Sequence, residues 1–306
     1  MRGHLPVMLE ETLAGLAVRQ ASPVRPRVFV DATYGRGGHS SAILSRLSPG
    51  DSLYALDRDP EAVAHARAAF GSQKNFQIDH RNFAELAAWA REQHLLQRVD
   101  GLLIDLGVSS PQLDDPARGF SFTADGPLDM RMDPDAGESA AQWLARAEEA
   151  EIADVLWRYG EERNSRRIAR RIVAVRQATP IVTTAQLAQL VSEVPGPRSH
   201  KIHPATRTFQ ALRIQVNGEL AALDAAMAAL PELLADGGRA AIISFHSLED
   251  RRVKRTLREG AIRVRDGVAL TPVFQRPRRY FPTAAEVERN PRARSAVLRV
   301  AERMGP

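Results

Sequence analysis

At 306 residues, with 44% apolar and 26% charged side chains, the chain has the composition of an ordinary globular protein and the length for one large or two modest domains. The absence of cysteine excludes disulfides, thiol nucleophiles and every cysteine-containing zinc site, and it fits a reducing cytoplasm. The net charge of +5 is unevenly placed: residues 251–279 carry ten Lys or Arg against Glu259 and Asp266, and residues 163–176 carry six arginines and no acid. Such patches suit a polyanion such as nucleic acid, or a solvated arginine-rich surface.

The N-terminal MRGHLPVMLEETLAGL has no signal-peptide pattern, and no segment offers an apolar run of about 18 residues, so the chain is expected to be soluble and cytoplasmic, with no membrane partner. The first hundred residues alternate between strand-like and helix-like periods, the pattern of a parallel α/β sheet. Strands are predicted at 28–32, 52–56, 76–79 and 99–106, with helices near 40–47, 60–70 and 82–93. From 113 to about 217 a turn-rich stretch, DDPARGFSFTADGPLDMRMDPDAG, gives way to helical patterns at 139–144, 147–159, 165–178 and 184–193. No strand-like run interrupts them, which predicts a helical domain inserted into the sheet domain. The α/β signal resumes with a helix at 219–234, a turn at Gly237-Gly238 and strands at 239–245 and 296–301.

The first strand runs into the most informative segment, VFVDATYGRGGHS at 28–40. A buried strand that delivers the chain into a glycine-rich turn and then a helix is the pattern of a ligand-binding turn, because glycine lets backbone approach a ligand closely. Asp57 follows at the end of the second apolar run, about 20 residues on, where a carboxylate can accept hydrogen bonds from ribose hydroxyls. The pair points to an adenosine-type cofactor. No P-loop motif follows, and the turn departs from G-x-G-x-x-G. Asp31 at its start would repel a pyrophosphate but suits the cationic amino group of S-adenosylmethionine. A nicotinamide dinucleotide, and a glycine turn with no ligand, remain the other readings.

Asp105 heads DLGVSSPQLD at the end of the fourth strand. A methyltransferase acting on an exocyclic amine needs fixed acceptors for the N–H hydrogens. Asp105 or a nearby backbone carbonyl fits that role and Gln112 the amino-acid part of the cofactor, unless Asp105 merely caps the next turn. Ser244, His246, Ser247, Glu249 and Asp250 form a second cluster. A hydrolase triad would need a G-x-S-x-G elbow, which is missing, and Ser247 with Asp250 reads better as a helix N-cap. His246 faces substrate or is a buried structural histidine. His200 and His203 have a metal-like spacing, but Pro197 and Pro204 oppose a helix and no carboxylate completes a ligand set, so no metal is expected. Trp89, Trp143 and Trp157 are read as core residues rather than base-stacking platforms.

HLPVMLEE, VDATYGRGGHS, ALDRDP, DLGVSSPQLDDPARGFSFTADGPLDMRMD, YGEERNSRRIARRIV, HPATRTFQALRIQVNGEL, GGRAAIISFHSLEDRRVK and NPRARSAVLRVAER together span the chain. On these motifs it resembles the bacterial 16S ribosomal RNA cytosine-N4 methyltransferases, the MraW family; residues 258–288 match least. The resemblance implies a Rossmann-like S-adenosylmethionine-dependent methyltransferase domain at 1–112 and 217–306, with an inserted helical domain at 113–216 for substrate recognition. It implies N4-methylation of one cytosine, position 1402, in the decoding region of 16S rRNA within the small ribosomal subunit. By motif, cofactor contacts would be Gly37, Gly38 and His39 in the glycine turn, Asp57 on the ribose, Phe83 near the adenine, and Asp105 and Gln112. DLGVSSPQL stands where many amino methyltransferases have a D-P-P-Y type motif, so the catalytic acceptor, with Asp105 the candidate, stays open. A non-catalytic RNA-binding assembly factor is the rival class to an enzyme, and a homodimer is one option for the assembly state.

Overall fold

The computed structural model describes residues 6–18, 25–195, 202–262, 264–265 and 268–305. The chain divides into two compact units, Met1–Gly107 with Leu220–Pro306, and Val108–Glu219. The breaks fall after 107 and after 219, where the sequence reading set them after 112 and after 216.

In the first stretch α1 (Leu9–Gly15) precedes β1 (Val28–Asp31), α2 (Gly38–Leu44), β2 (Ser52–Asp57), α3 (Pro60–Phe70), β3 (Phe76–His80), α4 (Leu86–Glu92) and β4 (Val99–Asp105). The helix starts are written locally. Asp59 accepts from the Glu61 N–H ahead of Pro60 at the head of α3. Asn82 and Glu85 form a capping box over a 3₁₀ turn, Phe83–Glu85, that leads into α4.

The second unit is helical: α5 (Ser110–Asp114), α6 (Ala140–Arg146), α7 (Glu149–Gly160), α8 (Ser165–Arg176), α9 (Thr184–Glu193) and α10 (Thr206–Asn217). α7 packs against α8 and α10, and one core runs from Phe120 and Leu128 through Trp143, Leu156 and Ile168 to Phe209. The turn-rich stretch is held by two buried polar side chains. Arg118 donates to the Met132 carbonyl at 2.8 Å, and Asn217 accepts from the Met132 N–H at 2.8 Å while donating to the Met130 carbonyl at 2.7 Å.

The chain then returns through α11 (Glu219–Leu233), β5 (Leu234–Ser244), α12 (Ser247–Glu259), a two-strand ribbon of β6 (Val264–Arg265) and β7 (Val268–Ala269), β8 (Arg278–Tyr280), α13 (Ala284–Arg289) and β9 (Val297–Glu302). β5 starts five residues before the predicted 239, because Gly237-Gly238 is an irregularity inside the strand rather than a turn before it. Its register with β4 jumps from Val99↔Leu234 to Gly101↔Arg239, and Gly237, at φ 74°, donates to the Arg303 carbonyl of the neighbouring segment.

The main sheet has the order β3-β2-β1-β4-β5-β9-β8, with β1 to β5 parallel and β9 antiparallel to both its neighbours. Both faces are covered. Val28, Val30, Leu102, Ile104 and Ile242 pack with Trp89 of α4 and Leu223 and Leu230 of α11, whereas Phe29, Leu53, Leu103 and Ile243 pack with Leu13, Ile43 and Val63 of α1, α2 and α3. Burial on both faces explains strands that read as continuous apolar runs. It also leaves only the strand ends free to present polar chemistry.

Asn217→Ala is expected to destabilise the helical unit by about 1–3 kcal/mol, since it strands the buried Met132 N–H and Met130 carbonyl. Urea denaturation of the purified variant checks this, and an unchanged midpoint would contradict it.

Candidate active site

The carboxyl ends of β1, β2, β4 and β5 carry Asp31, Asp57, Asp105 and Ser244. Ligands bind at this edge in open parallel sheets because loops there diverge around the strand order.

Asp31 is 1% exposed and turned inward. Its Oδ2 accepts from Ser40 Oγ at 2.6 Å, pinning α2 to β1, and its Oδ1 accepts from the Thr33 N–H at 3.2 Å. Burial pushes its pKa up to about 6 against these two hydrogen bonds. The acid that the sequence sets at the start of the turn is therefore a buried one, with its hydrogen bonds made inside the protein.

In the turn, Gly35 and Gly37 have φ of 56° and 73°, which only glycine adopts without strain. The Gly37 N–H donates to the Tyr34 carbonyl at 2.8 Å. A Cβ on Gly37 would sit 2.5 Å from the Tyr34 hydroxyl, and one on Gly38 would lie 3.1 Å from Pro6. The space that the missing side chains open is thus filled by the protein's own Tyr34 and Pro6, which corrects the idea that glycine serves access alone. Tyr34 is held as the neutral phenol, its pKa raised to about 12 by burial and then by Asp31, and its hydroxyl lies 2.9 Å from His65 Nδ1. Burial, followed by Arg36, lowers the His65 pKa, matching a neutral acceptor ring.

Asp57 accepts from the Gly35 N–H at 2.7 Å and the Asp59 N–H at 2.8 Å, one on each oxygen. Burial raises its pKa to about 6 despite both bonds. A carboxylate has about four lone-pair directions, so two remain for further donors such as a pair of hydroxyls. Phe83 opens the 3₁₀ turn after β3 and packs, partly buried, on the core under the same edge.

Asp105 has the least support. Its N–H donates to Thr33 Oγ1 at 2.7 Å, which fixes the strand end. Its Oδ1 is buried with no hydrogen-bond partner, and its Oδ2 lies 3.6 Å from His39 Nδ1, too far for a hydrogen bond. His39 is buried; its Nε2 lies 3.1 Å from the Val7 carbonyl, a pure acceptor, so Nε2 carries the proton and Nδ1 faces Asp105. Burial, then Asp31, then Glu249 raise the Asp105 pKa well above the carboxylate range. An unpartnered oxygen with high proton affinity at the ligand edge is equipped to accept an N–H and the proton it carries.

The 244–249 segment, which the sequence reading kept apart, joins this edge through β4–β5 pairing, with Asp105 opposite Ile243. The N-cap of α12 is His246, one residue before the predicted Ser247. Its Nδ1 accepts from the Glu249 N–H at 3.4 Å, while Glu249 Oε2 accepts from the Phe245 and His246 N–H groups at 2.7 and 3.2 Å. Ser244 Oγ and His246 Nε2 are buried without a hydrogen-bond partner; Nε2 sits 3.1 Å from Glu249 Oε1 but is not aligned to donate to it. Ser247 is exposed, and Asp250 is held by Arg299 at 2.7 and 3.0 Å, so no triad forms.

Gln112 lies in the helical unit, where its Oε1 accepts from the Ser109 N–H at 2.9 Å and caps α5. Trp89 and Trp143 are core residues at 1% and 4% exposure, but Trp157 is 59% exposed, against the expectation of three core tryptophans. His200 lies outside the described residues, as do Arg263 and Asp266 of the basic stretch. Among the described residues no three His, Asp or Glu converge as metal ligands, and no helix is long and apolar enough to cross a membrane.

A family profile described as the MraW methylase family matches residues 1–304. The ribosomal RNA small subunit methyltransferase H of Thioalkalivibrio sulfidiphilus is 54% identical, covering 98% of this chain and 97% of that protein. Its namesake in Xanthomonas euvesicatoria is 50% identical over 99% of this chain and 89% of that one. A solved S-adenosylmethionine-dependent O-methyltransferase from Thermotoga maritima aligns over this whole chain and 69% of its own at 10% identity, with a TM-score of 0.44. By profile and by full-length identity, the chain belongs to the MraW methylase family.

Proposed function

We propose that this protein methylates the N4 amine of a single cytosine, position 1402, of 16S rRNA within small ribosomal subunits in the cytoplasm, with S-adenosylmethionine as donor. Family membership supports methylation, the names of the relatives support ribosomal RNA as the acceptor, and the observation that carries the chemistry is the unpartnered Oδ1 of Asp105. S-adenosylmethionine supplies a methyl group made electrophilic by its sulfonium charge.

The residues present fit that donor. The free lone pairs of Asp57 suit its ribose hydroxyls, Phe83 its adenine, and the Gly37–His39 turn closes the edge beside them. The carboxylates of Asp31, buried, and Asp105, partly buried, favour a cationic ligand, and a cation beside them favours their ionised forms. Asp105 Oδ1 then accepts an N–H of the cytosine amine, which turns the nitrogen lone pair out of conjugation with the ring. As the amine is alkylated it becomes acidic, and Oδ1 takes the proton it sheds. Fixed orientation supplies most of the acceleration, because reacting groups held in line avoid the entropy cost of encounter. The basic surface of the helical unit at residues 163–176 would meet RNA phosphates.

Incubation with labelled donor and small subunits lacking the modification, followed by mapping of the labelled base, tests the reading. One cytosine labelled at N4 is expected; binding without transfer would instead fit an assembly factor. Asp105→Asn keeps an acceptor oxygen but loses the proton affinity, so kcat is expected to fall about 100-fold or more in single-turnover assays. Full activity in that variant would overturn the role given to Asp105.

Donor binding should also release protons near pH 6. Asp31 and Asp57 titrate at about 6 in the free protein, and only their ionised forms favour the cation and the ribose. Affinity is therefore complete above that pH and falls as pH drops through it, by about tenfold per unit for each proton displaced. Calorimetry at pH 7.5 and pH 5, in buffers of different ionisation enthalpy, measures both effects, and equal affinities would contradict them.

A further inference from the structure

The unexplained aromatic of the helical unit is Trp157, 59% exposed on α7. A helix turns 100° per residue, and the buried stripe of α7 is Ile152, Val155 and Leu156, which places Trp157 about 140° around the helix from Ile152. The ring lines an open groove of about 1000 Å³ together with Ala150 and Ala153, and with Arg163, Arg166, Arg167 and Arg170 from the start of α8 and the turn before it. The small alanines in the turns preceding Trp157 leave space beside the indole.

The charge in the groove is unbalanced. Its two carboxylates are engaged, Asp154 with Arg158 at 2.7 Å and Glu149 with Arg170 at 3.6 Å. Arg167 donates to the Pro195 carbonyl at 3.1 Å. Arg163 and Arg166 make no ion pair or side-chain hydrogen bond among the described residues. Free guanidiniums beside an exposed indole match the two components of single-stranded nucleic acid, phosphates and bases with open π faces. A duplex offers the phosphates but keeps its base faces stacked internally, and a run of glutamates offers negative charge without a ring to stack.

We infer that the α7–α8 groove is a docking site for an unpaired stretch of RNA, in which Trp157 stacks one base and Arg163 and Arg166 hold its phosphates. This rests on the reading of the protein as an RNA methyltransferase, and it adds a contact separate from the strand-end chemistry. Because the other two tryptophans are buried, emission changes on RNA binding report chiefly on Trp157.

The test titrates the full chain, by tryptophan fluorescence and anisotropy, with a labelled single-stranded RNA 12-mer, the same strand annealed to its complement, and poly-glutamate. Quenching by the single strand alone is expected. Trp157→Ala should weaken single-strand binding by about tenfold to a hundredfold, and Trp157→Phe by less. Arg166→Ala should reduce the slope of log affinity against log salt by about one. Donor binding by calorimetry should match wild type in each variant, which also verifies folding. Equal quenching by duplex or poly-glutamate, or unaltered RNA affinity in Trp157→Ala, overturns the inference. Methyl transfer to small subunits separates the two proposals: if wild type labels the RNA and Trp157→Ala does so with the same KM, the groove assignment fails and the enzymatic reading stands. Absence of transfer by wild type sinks the enzymatic reading, while the fluorescence arms still decide the groove.

Discussion

The sheet unit is organised around acids held wholly or partly out of solvent at adjacent strand ends. Asp31, Asp57 and Asp105 close β1, β2 and β4, and none makes an ion pair with Lys or Arg among the described residues. Ionising a buried carboxylate is costly unless hydrogen bonds or a cation compensate. Ser40 and the Thr33 N–H compensate Asp31, and the Gly35 and Asp59 N–H groups compensate Asp57. Asp105 Oδ1 receives nothing from the protein. All three pKa values are raised, so the donor-free fold is favoured when these groups are protonated, and for Asp31 and Asp57 that contribution is lost as pH rises through about 6. A fold that accepts this loss at neutral pH has kept a local conflict at one edge, which is where functional sites break structural rules.

Much of the site was legible because strand ends are legible. Apolar runs ending in Asp at 31, 57 and 105 mark both the strands and the edge at which ligands bind, without any knowledge of packing. The glycines were legible as a turn but not for their reason. Positive φ at Gly35 and Gly37 follows from the motif, whereas the Tyr34 hydroxyl and Pro6 ring that fill the vacated space come from tertiary placement. The same limit hid Asp31, whose carboxylate direction is set by Ser40 nine residues later.

Other misses have specific causes. Histidine is an unusual N-cap, so propensity moved the start of α12 to Ser247, although Glu249 stands three residues after His246 in capping-box register. The Gly237-Gly238 pair reads as a turn by composition, but pairing of β5 to β4 on both sides absorbs it as an irregularity. α10 was passed over within HPATRTFQALRIQVNGEL, although its buried Phe209, Leu212 and Asn217 follow a helical period. Trp157 was misplaced by residue type alone; its angle on the helical wheel puts it opposite the buried stripe.

The arginines of α8 are a conflict of the opposite sign. The core takes Ser165, Ile168, Ala169 and Ile172, so SRRIARRI leaves Arg166, Arg167, Arg170 and Arg171 together on the outer face. Arg166 with Arg170 and Arg167 with Arg171 are like charges one turn apart, each pair opposing helix formation by about 0.2–0.5 kcal/mol. Two arginines lie at the helix start, where the macrodipole already disfavours cations. Glu149 and Glu193 offset part of this through Arg170 and Arg171, at separations of 3.6 and 3.4 Å on largely exposed side chains, where ion pairs contribute little. Lysine, glutamine or glutamate would serve the helix as well or better at these positions. Arg170 and Arg171 are thus partly compensated from within the protein, and Arg167 reaches the Pro195 carbonyl, whereas the repulsion that remains on this face is of the kind that anions from outside relieve, which is the charge pattern that a polyanionic ligand favours.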